Sequence, residues 1–562
     1  MRGKLMIPKI HLKNNKLIVE GDYHTGTVCA SVGSGFWNKK DRVWEFSLSV
    51  GAKLRHSLTD AQITPEAQQR IDEIVKKINI IRELKQHKNL EAVLLGSDAD
   101  FLMEHQRLCV AISKLANSYA FYLDTGTGKT VTALEIINQN KDIKWVVVCP
   151  KTIIKTAWME DHLMFYPDLK ILPLSKNIKT EDYLEIARRW EIPLKGRNSV
   201  AELREKLTAH AQVFIINPES FKKETDFLQK QGVTGLIFDE SVKIKDNNAQ
   251  ITKTTLKFGY GMKKIYILSG EPAPNNPLEY FPQMKLIDEG VFGSNFYSFR
   301  NKFFATTDYL GYNWKLKPNM EELFSERLSM KSLFIGKNEC LDLPEKLYQT
   351  RGITLKGDAF KYYKQMEINR MLQVEESVTI APNILTSIMK LRQITSGFVI
   401  DNDAETHMLH TQKLDELSNV LEEIGKKQVI IWCNFKNEIR TIENMLLAQG
   451  KKVVTAYSGT KDTDESVRLF KEGKVQYIIA NPKTLKYGVT FVKCSYAVYY
   501  SLSYSYDDYY QSHDRIYRKG QEKPCTFIFL ICENTIDEVI YDVLKQKGDI
   551  SEAIKRYSRL LK

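Results

Sequence analysis

Apolar and polar residues alternate with a period of two near the start of the chain. Ile10-x-Leu12 and Leu17-x-Val19 flank Asn14-Asn15, which predicts a β-hairpin across a two-residue turn. Trp44-x-Phe46-x-Leu48 repeats the alternation after a turn at Lys39-Lys40-Asp41, so a small sheet rich in aromatic residues is expected. The period then changes. Thr64-Pro65-Glu66 reads as a cap followed by proline in the first helical turn, and Ile71, Ile74, Val75, Ile78, Ile81 and Leu84 fall on one face of that helix. This face is expected to pack on the small sheet.

From residue 100 onward, short β-branched runs alternate with helical stretches. The runs are Trp145 to Cys149, Val213 to Asn217, Gly235 to Phe238 and Ile265 to Leu268, then Val429 to Cys433, Tyr477 to Ala480, Ala497 to Tyr500 and Phe527 to Ile531. Continuous apolar runs of this length read as buried parallel strands. They form two clusters, separated by a polar region from Pro274 to His410 that is expected to be largely helical. The predicted fold class is α/β: two doubly wound lobes with helical insertions, preceded by a small α+β domain. The expected boundaries are 1–95, 96–335 and 336–562, with insertions near 165–210, 275–335 and 355–410. No fixed-period repeat or low-complexity tract interrupts this order.

Composition narrows the classes. A chain of 562 residues has room for roughly three to four domains. Lys plus Arg outnumber Asp plus Glu, 81 to 69, for a net charge of +12, which suits a polyanionic partner. The eight cysteines contain no Cys-x-x-Cys pair and several lie in apolar runs, so neither disulfides nor zinc are expected, and a reducing, intracellular compartment is. No apolar run reaches the roughly 18 residues that span a bilayer, and MRGKLMIPKIHLKNNK lacks a signal-peptide core. Membrane insertion and secretion are therefore not expected.

The chemistry is concentrated in three short segments. Asp124-Thr125-Gly126-Thr127-Gly128-Lys129-Thr130 follows the apolar run Tyr119 to Leu123 and precedes a helix-like run, Val131 to Gln139. Glycines at 126 and 128 let backbone N–H groups turn toward phosphate oxygens, Lys129 brings a point charge to the β- and γ-phosphates, and Thr130 offers a hydroxyl to Mg²⁺. Leu123 stands where the fuller phosphate-loop pattern has a further glycine, and the shorter form ending Gly-x-Gly-Lys-Thr is that of helicase-type ATPases. Asp239-Glu240 closes the strand-like run Leu236 to Phe238; an Asp there can hold the Mg²⁺ shell while the Glu orients and deprotonates the attacking water. Near the end of the chain, QSHDRIYRKGQ carries Arg515 and Arg518, three apart and so on one face if the segment is helical. Guanidinium groups so placed suit the charge of a γ-phosphate in transfer.

Taken in order, these segments resemble the SWI/SNF ATPase family of helicase superfamily two. Gln106 in EHQ resembles the adenine-reading glutamine, DTGTGKT the first motif, Val148 to Lys151 with Trp158 the next, and DESVKIKD the second. LSGEP at 268–272 resembles the third, Val429 to Phe435 the fourth, Gly488-Val489-Thr490 the fifth and QSHDRIYRKGQ the sixth; LDLPEK at 341–346, LRQITSGF at 391–398 and TIDEVIY at 535–541 are further echoes. The resemblance covers residues 100–545 and implies ATP and Mg²⁺ bound between two RecA-like lobes, with Arg515 and Arg518 as arginine fingers. It further implies movement along duplex DNA, gripped chiefly at phosphates. Lys151 and Thr152 are the expected DNA contacts on the first lobe, and Thr484 and Thr490 on the second. Three positions depart from the family: Val242 where relatives carry His or Gln, Glu271 where they carry Thr, and NPKTLKYGVTF, which lacks paired glycines. ATP hydrolysis is expected to survive these changes, and the coupling of hydrolysis to motion is left open.

Two accessory segments remain. GFWNKKDRVWEFSL at 35–48 resembles the substrate-recognition module of HARP-type annealing helicases; Trp37 and Trp44 then contact DNA, or with Phe46 form the core of the small sheet. Leu184 to Leu207 reads as helix, Pro-x-x-Gly turn and helix; it resembles the SAP-type DNA-binding hairpin, with an ordinary helical insertion as the alternative. The expected function is an ATP-dependent translocase that remodels forked or branched DNA, acting beside single-strand-binding, replication or recombination proteins. The compartment is cytoplasmic and nucleoid-associated, or the host cytoplasm if the source is viral. A remodeler that displaces proteins from duplex and a DNA-binding recruitment factor with a weakened motor stand as alternatives.

Overall fold

The computed structural model describes residues 7–32, 34–87, 99–175, 178–194, 199–307, 313–340, 343–376, 380–401, 403, 405–485 and 489–546. The chain divides into two compact units, Met1–Cys340 and Leu341–Lys562. Among the described residues no helix is long and apolar enough to cross a membrane.

The first unit opens with a five-stranded sheet of order β3-β4-β2-β1-β5. Its strands are β1 (Lys9–Lys13), β2 (Lys16–Glu20), β3 (Phe36–Asn38), β4 (Val43–Ser47) and β5 (Gln62–Ile63). Asn14 and Asn15 have φ of 51° and 59°, the left-handed pair that a two-residue hairpin turn needs to match strand twist. Three helices complete the module: α1 (Tyr23–Val32), α2 (Gly51–Ser57) and α3 (Pro65–His87). Ile10, Leu17, Val19, Cys29, Phe46, Leu54 and Ile71 form its core. The aromatic residues divide: Phe46 is core, Trp44 is half-buried beside it, and Trp37 is 41% exposed.

The apolar face of α3 departs from expectation. Ile71, Ile74 and Val75 pack on the small sheet, but Ile78 and Ile81 line a cavity of about 490 Å³ with Leu115, Asn117 and Tyr119 of the neighbouring fold. Lys85 then donates to the carbonyl of Ser332 at 2.7 Å and lies over the Tyr119 ring. Burial, with Arg82 nearby, lowers its pKa to about 8. A helix of 23 residues is about 35 Å long, twice the length of a five-residue strand, so half of it must find another surface.

That surface belongs to a seven-stranded parallel sheet of order β14-β6-β11-β10-β7-β9-β8. Its strands are β6 (Ser118–Leu123), β7 (Trp145–Val148), β8 (Ile171–Pro173), β9 (Val213–Ile216), β10 (Gly235–Asp239), β11 (Lys264–Leu268) and β14 (Ser332–Ile335). A small antiparallel ribbon, β12 (Phe304–Thr306) with β13 (Trp314–Leu316), lies between the last two in sequence. The four expected strands are present and wholly or nearly wholly buried. Helices α4 (Glu104–Leu115) and α5 (Lys129–Asn138) flank β6 in the chain. Helices Thr180–Arg189 and Val200–Thr208, from the segment resembling a SAP hairpin, bury Tyr183, Ile186, Leu203 and Leu207 in the core under this sheet; Gly196 of their connection lies outside the described residues.

The second unit holds a six-stranded parallel sheet of order β15-β22-β21-β18-β20-β19. The strands are β15 (Lys346–Ile353), β18 (Val429–Trp432), β19 (Val453–Ala456), β20 (Tyr477–Ala480), β21 (Tyr496–Tyr499) and β22 (Cys525–Cys532), with a separate ribbon of β16 (Phe398–Ile400) and β17 (Thr406–Met408). The region Pro274 to His410, expected to be largely helical, thus supplies an edge strand to each large sheet, β14 and β15. β14 opens on Ser332 and exposes Phe334, and β15 is mostly exposed, Leu347 and Tyr348 included, so neither run carries the continuous buried apolar signature of the central strands.

Lys413 and Asp537 form an ion pair at 2.6 Å within the second unit, and the Lys413 side chain is 1% exposed. Burial alone would lower the Lys413 pKa, but the attraction of Asp537 and its hydrogen bond, together with Cys532 and Glu438 nearby, outweigh it and the net shift is upward. Thr395 completes the site by donating to Asp537 Oδ1 at 2.9 Å. Lys413→Met should therefore destabilise this unit by about 3–5 kcal/mol in urea unfolding, because it strands a buried carboxylate, whereas Lys413→Met combined with Asp537→Leu should be close to neutral.

Candidate nucleotide-binding site

The phosphate loop is the turn from β6 into α5. Gly126 and Gly128 have φ of 82° and 83°, the left-handed region that admits glycine without penalty. Asp124 Oδ1 accepts the Thr125 N–H at 2.7 Å, and the Thr127 hydroxyl donates to the Asp124 carbonyl at 2.7 Å, so the loop is wound on its own first residue. Lys129 is the first residue of α5; its Nζ donates to the carbonyls of Leu123 at 3.2 Å and Asp124 at 3.5 Å. Thr130, next in the helix, is partly exposed.

Helix α4 braces the loop from behind. Gln106, 3% exposed, donates from Nε2 to the carbonyls of Thr127 at 3.3 Å and Gly128 at 3.1 Å, while its Oε1 accepts the Met103 N–H at 2.8 Å. His105 Nε2 lies 2.7 Å from the Thr127 carbonyl. A Cβ on Gly128 would sit 2.1 Å from Gln106 Nε2, so this glycine is required twice, by its backbone angle and by the approach of Gln106.

The carboxylates lie two strands from the loop. Asp239, 2% exposed, accepts the Trp158 indole N–H at 3.0 Å and the Glu240 N–H at 3.0 Å. Burial raises its pKa, opposed by the Lys129 ammonium and these two hydrogen bonds. Glu240 is 7% exposed with φ of 56°, a left-handed non-glycine residue at the point where the strand ends. Between loop and carboxylates comes the third-motif segment: a Cβ on Gly270 would lie 3.2 Å from the Thr125 backbone nitrogen. Among the described residues the buried Thr125 hydroxyl has no hydrogen-bond partner, nor has that of Ser269.

These groups fit a nucleoside triphosphate with a divalent cation. Glycines open the loop, α5 directs its first N–H groups along the loop, Lys129 carries the charge, and Thr130 and Asp239 are hard oxygen donors of the kind Mg²⁺ takes.

Of the other expected site residues, Lys151 and Thr152 are exposed just beyond β7, where the Thr152 carbonyl accepts the Thr156 hydroxyl at 2.9 Å. In the second unit the helix Tyr506–His513 ends before Arg515, so the two arginines do not share a helical face. Arg515, 4% exposed, donates to the carbonyls of Gln511 at 2.9 Å and Val489 at 2.8 Å; the side chain takes up a carbonyl at the helix end. Arg518 is partly exposed and donates to the Thr490 hydroxyl at 2.7 Å, which brings together two residues expected to serve different ligands. Thr484 lies in the turn after β20, with its N–H on the Asn481 carbonyl at 3.0 Å. Gly488 of the fifth motif, and Leu341 and Asp342 of LDLPEK, lie outside the described residues.

Comparison with known families matches residues 103–397, more than half of the chain, to the SNF2-related domain, and residues 412–520 to the helicase conserved C-terminal domain. The chain belongs to the SNF2-related family of ATPases.

Among its relatives is the SWI/SNF-related matrix-associated actin-dependent regulator of chromatin subfamily A-like protein 1 of Drosophila melanogaster, 22% identical over 540 residues that cover 93% of this chain and 65% of that protein. Another is the DNA repair and recombination protein RDH54 of Saccharomyces cerevisiae, 24% identical over 474 residues, covering 76% of this chain and 50% of the relative. The chain thus spans half to two thirds of the length of these relatives. A solved structure, the Sulfolobus solfataricus SWI2/SNF2 ATPase core in complex with dsDNA, is similar at 20% identity over 80% of this chain and 91% of its own, with a TM-score of 0.36.

Family membership accounts for the helicase-type short loop. Three braces escaped the sequence: His105 on the Thr127 carbonyl, the Lys337 N–H on Asp124 Oδ2 at 3.3 Å, and Gln283. The one signal for Gln283 is a lone amide inside the apolar run Tyr280-Phe281-Pro282-Gln283-Met284.

Gly128→Ala should abolish nucleotide binding, read by titration with a fluorescent ATP analogue. Gly232→Ala is the control: its φ is 75° but, among the described residues, nothing lies within 4 Å of the new Cβ. It should cost about 1–2 kcal/mol of stability in thermal unfolding and leave nucleotide affinity intact. Equal affinities for the two variants would show that the approach of Gln106 is immaterial to the loop.

Proposed function

We propose that the chain is an ATP-driven translocase on duplex DNA that remodels forked or branched structures, with the N-terminal module contacting the substrate. One observation carries this reading: the phosphate loop, the third-motif segment, Asp239-Glu240 and Lys151 leave neighbouring strands at the same sheet edge in a family of ATPases. Mg²⁺, when bound, would supply charge neutralisation to the phosphoryl group in transfer. Thr130 and Asp239 would hold that ion, Lys129 binds the phosphates, and Gln106 keeps the loop in shape. Glu240 orients the attacking water and takes its proton as the new P–O bond forms and the bond to ADP breaks. Arg515 and Arg518 keep the role the resemblance gives them, countering charge on the γ-phosphate.

Lys151, Thr152, Thr484 and Thr490 contact the DNA backbone in this reading, so binding falls steeply with salt and shows little sequence preference. Structure preference comes from the N-terminal module. The Drosophila relative matches 93% of the chain, more than the SNF2-related and C-terminal domains alone span, so the likeness extends beyond those two domains; the HARP-like reading of the module rests on residues 35–48. Exposed Phe36 and Trp37 beside Lys39, Lys40 and Arg42 supply stacking faces and cations at one corner of the small sheet, with Trp44 behind them. The name of the yeast relative favours a task in repair or recombination. In this reading the chain works within the cell, beside replication or single-strand-binding proteins.

Steady-state ATP hydrolysis by the wild type should rise at least several-fold with linear duplex or forked DNA over no DNA or single strands, and Lys129→Ala should stay at background. Trp37→Ala should lower stimulation by forked DNA about tenfold, for the loss of about 1–3 kcal/mol of base stacking, and leave linear duplex unaffected. Background hydrolysis on every DNA, with tight binding retained, would replace the motor by a recruitment factor.

A further inference from the structure

Gln283, on the helix Tyr280–Ile287, has no exposed surface, and its amide is fully used. Oε1 accepts the Ser241 hydroxyl at 2.7 Å and the Tyr122 hydroxyl at 3.3 Å. Nε2 donates to the carbonyls of Pro272 at 2.8 Å and Glu279 at 3.0 Å. The orientation is unambiguous, since two carbonyls can only accept and must face the NH₂ group.

These partners come from three functional segments. Ser241 follows Glu240 directly, so its hydroxyl anchors the residue that leaves the strained left-handed position. Pro272 ends the third-motif segment, in which Gly270 touches the backbone of Thr125 in the phosphate loop. Tyr122 is the penultimate residue of β6, just before that loop. Val242, partly buried and apolar, offers no hydrogen bond of its own between the second and third motifs.

We infer that Gln283 is a positioning residue for hydrolysis: it fixes the Glu240 carboxylate relative to the third-motif segment and so takes over the link that a polar side chain at 242 would make. A movement of the third-motif segment pulls on the Gln283 amide and through Ser241 reaches Glu240, with no group at 242 needed. The inference rests on the ATPase reading of this site but not on DNA as the track. Glu271 sits one residue before Pro272, so the same amide also anchors the backbone beside the residue that replaces the family's threonine.

The test measures ATP hydrolysis without DNA as a function of ATP concentration, alongside folded fraction. Gln283→Met keeps the side-chain length and removes every hydrogen bond; kcat should fall tenfold or more while KM for ATP stays within threefold. Gln283→Glu keeps the acceptor for Ser241 but loses the donor to Pro272, and should fall between the two. Adding Val242→His to Gln283→Met should recover at least a third of the lost rate by restoring a direct link. Ser241→Ala, a smaller change, should lower kcat in the same way and decides the matter if Gln283→Met does not fold. Unchanged kcat in Ser241→Ala, a loss in Gln283→Met that only tracks folded fraction, or absence of rescue by Val242→His would each overturn the inference. A wild type that hydrolyses ATP without stimulation by any DNA would defeat the translocase reading and leave the Gln283 comparison valid. A wild type with no hydrolysis at all would defeat both.

Discussion

A parallel sheet carries the carboxyl ends of all its strands on one edge, and the first unit hangs its chemistry from that edge. Leu123, Leu268, Asp239 and Val148 end four strands that are neighbours in the order β6, β11, β10, β7. At a strand spacing of about 4.8 Å, the four loops that follow lie within about 15 Å of one another. Strand order also decides which loops touch. The third-motif segment meets the phosphate loop at Gly270 and Thr125 because β11 lies beside β6, and the indole of Trp158, reached from β7, meets Asp239 because β10 lies beside β7.

Loops so close together need to be held, and buried amides and rings do this. Gln106 shapes the phosphate loop, Trp158 orients Asp239, and Gln283 links the segments on either side. Gln106 and Gln283 are each satisfied by several partners and the single Trp158 N–H by one, which is the condition for a buried polar group to stabilise rather than destabilise. The left-handed backbone of Glu240 costs on the order of 1–3 kcal/mol. Hydrogen bonds from its N–H to Asp239 and from the Lys243 N–H to its carbonyl hold it there. Strain at this one carboxylate is local, whereas the braces that maintain it extend over three strands.

The second unit repeats the design with charge in place of amides. Glu438, 2% exposed, accepts from the Ser396 hydroxyl at 2.6 Å, the Ser501 hydroxyl at 2.7 Å and the Asn434 N–H at 2.9 Å, and so gathers the loops after β18 and β21. Arg515 similarly joins the segment at Val489 to the end of helix Tyr506–His513, which sets Thr490 and Arg518 side by side. A motif residue can thus act by holding its neighbour, and Arg515 is placed to do so for Arg518.

What the sequence by itself determined are the features that depend on nearest neighbours along the chain. The Asn14-Asn15 turn, the eight buried strands, the phosphate loop with its glycines and the helix after it all follow from local periodicity or backbone angles, and all appear where they were expected. The order of motifs sufficed for the family. Tertiary structure decided what depends on an unrelated partner: the edge strands β14 and β15, one largely buried and one mostly exposed, neither with an alternating pattern; the second half of α3, which turns to another surface; and the end of the helix before Arg515. Gln283 makes the same point within the site. A buried glutamine has no sequence pattern of its own, because its meaning lies in Ser241, Pro272 and Tyr122, which only the fold brings within reach of one amide.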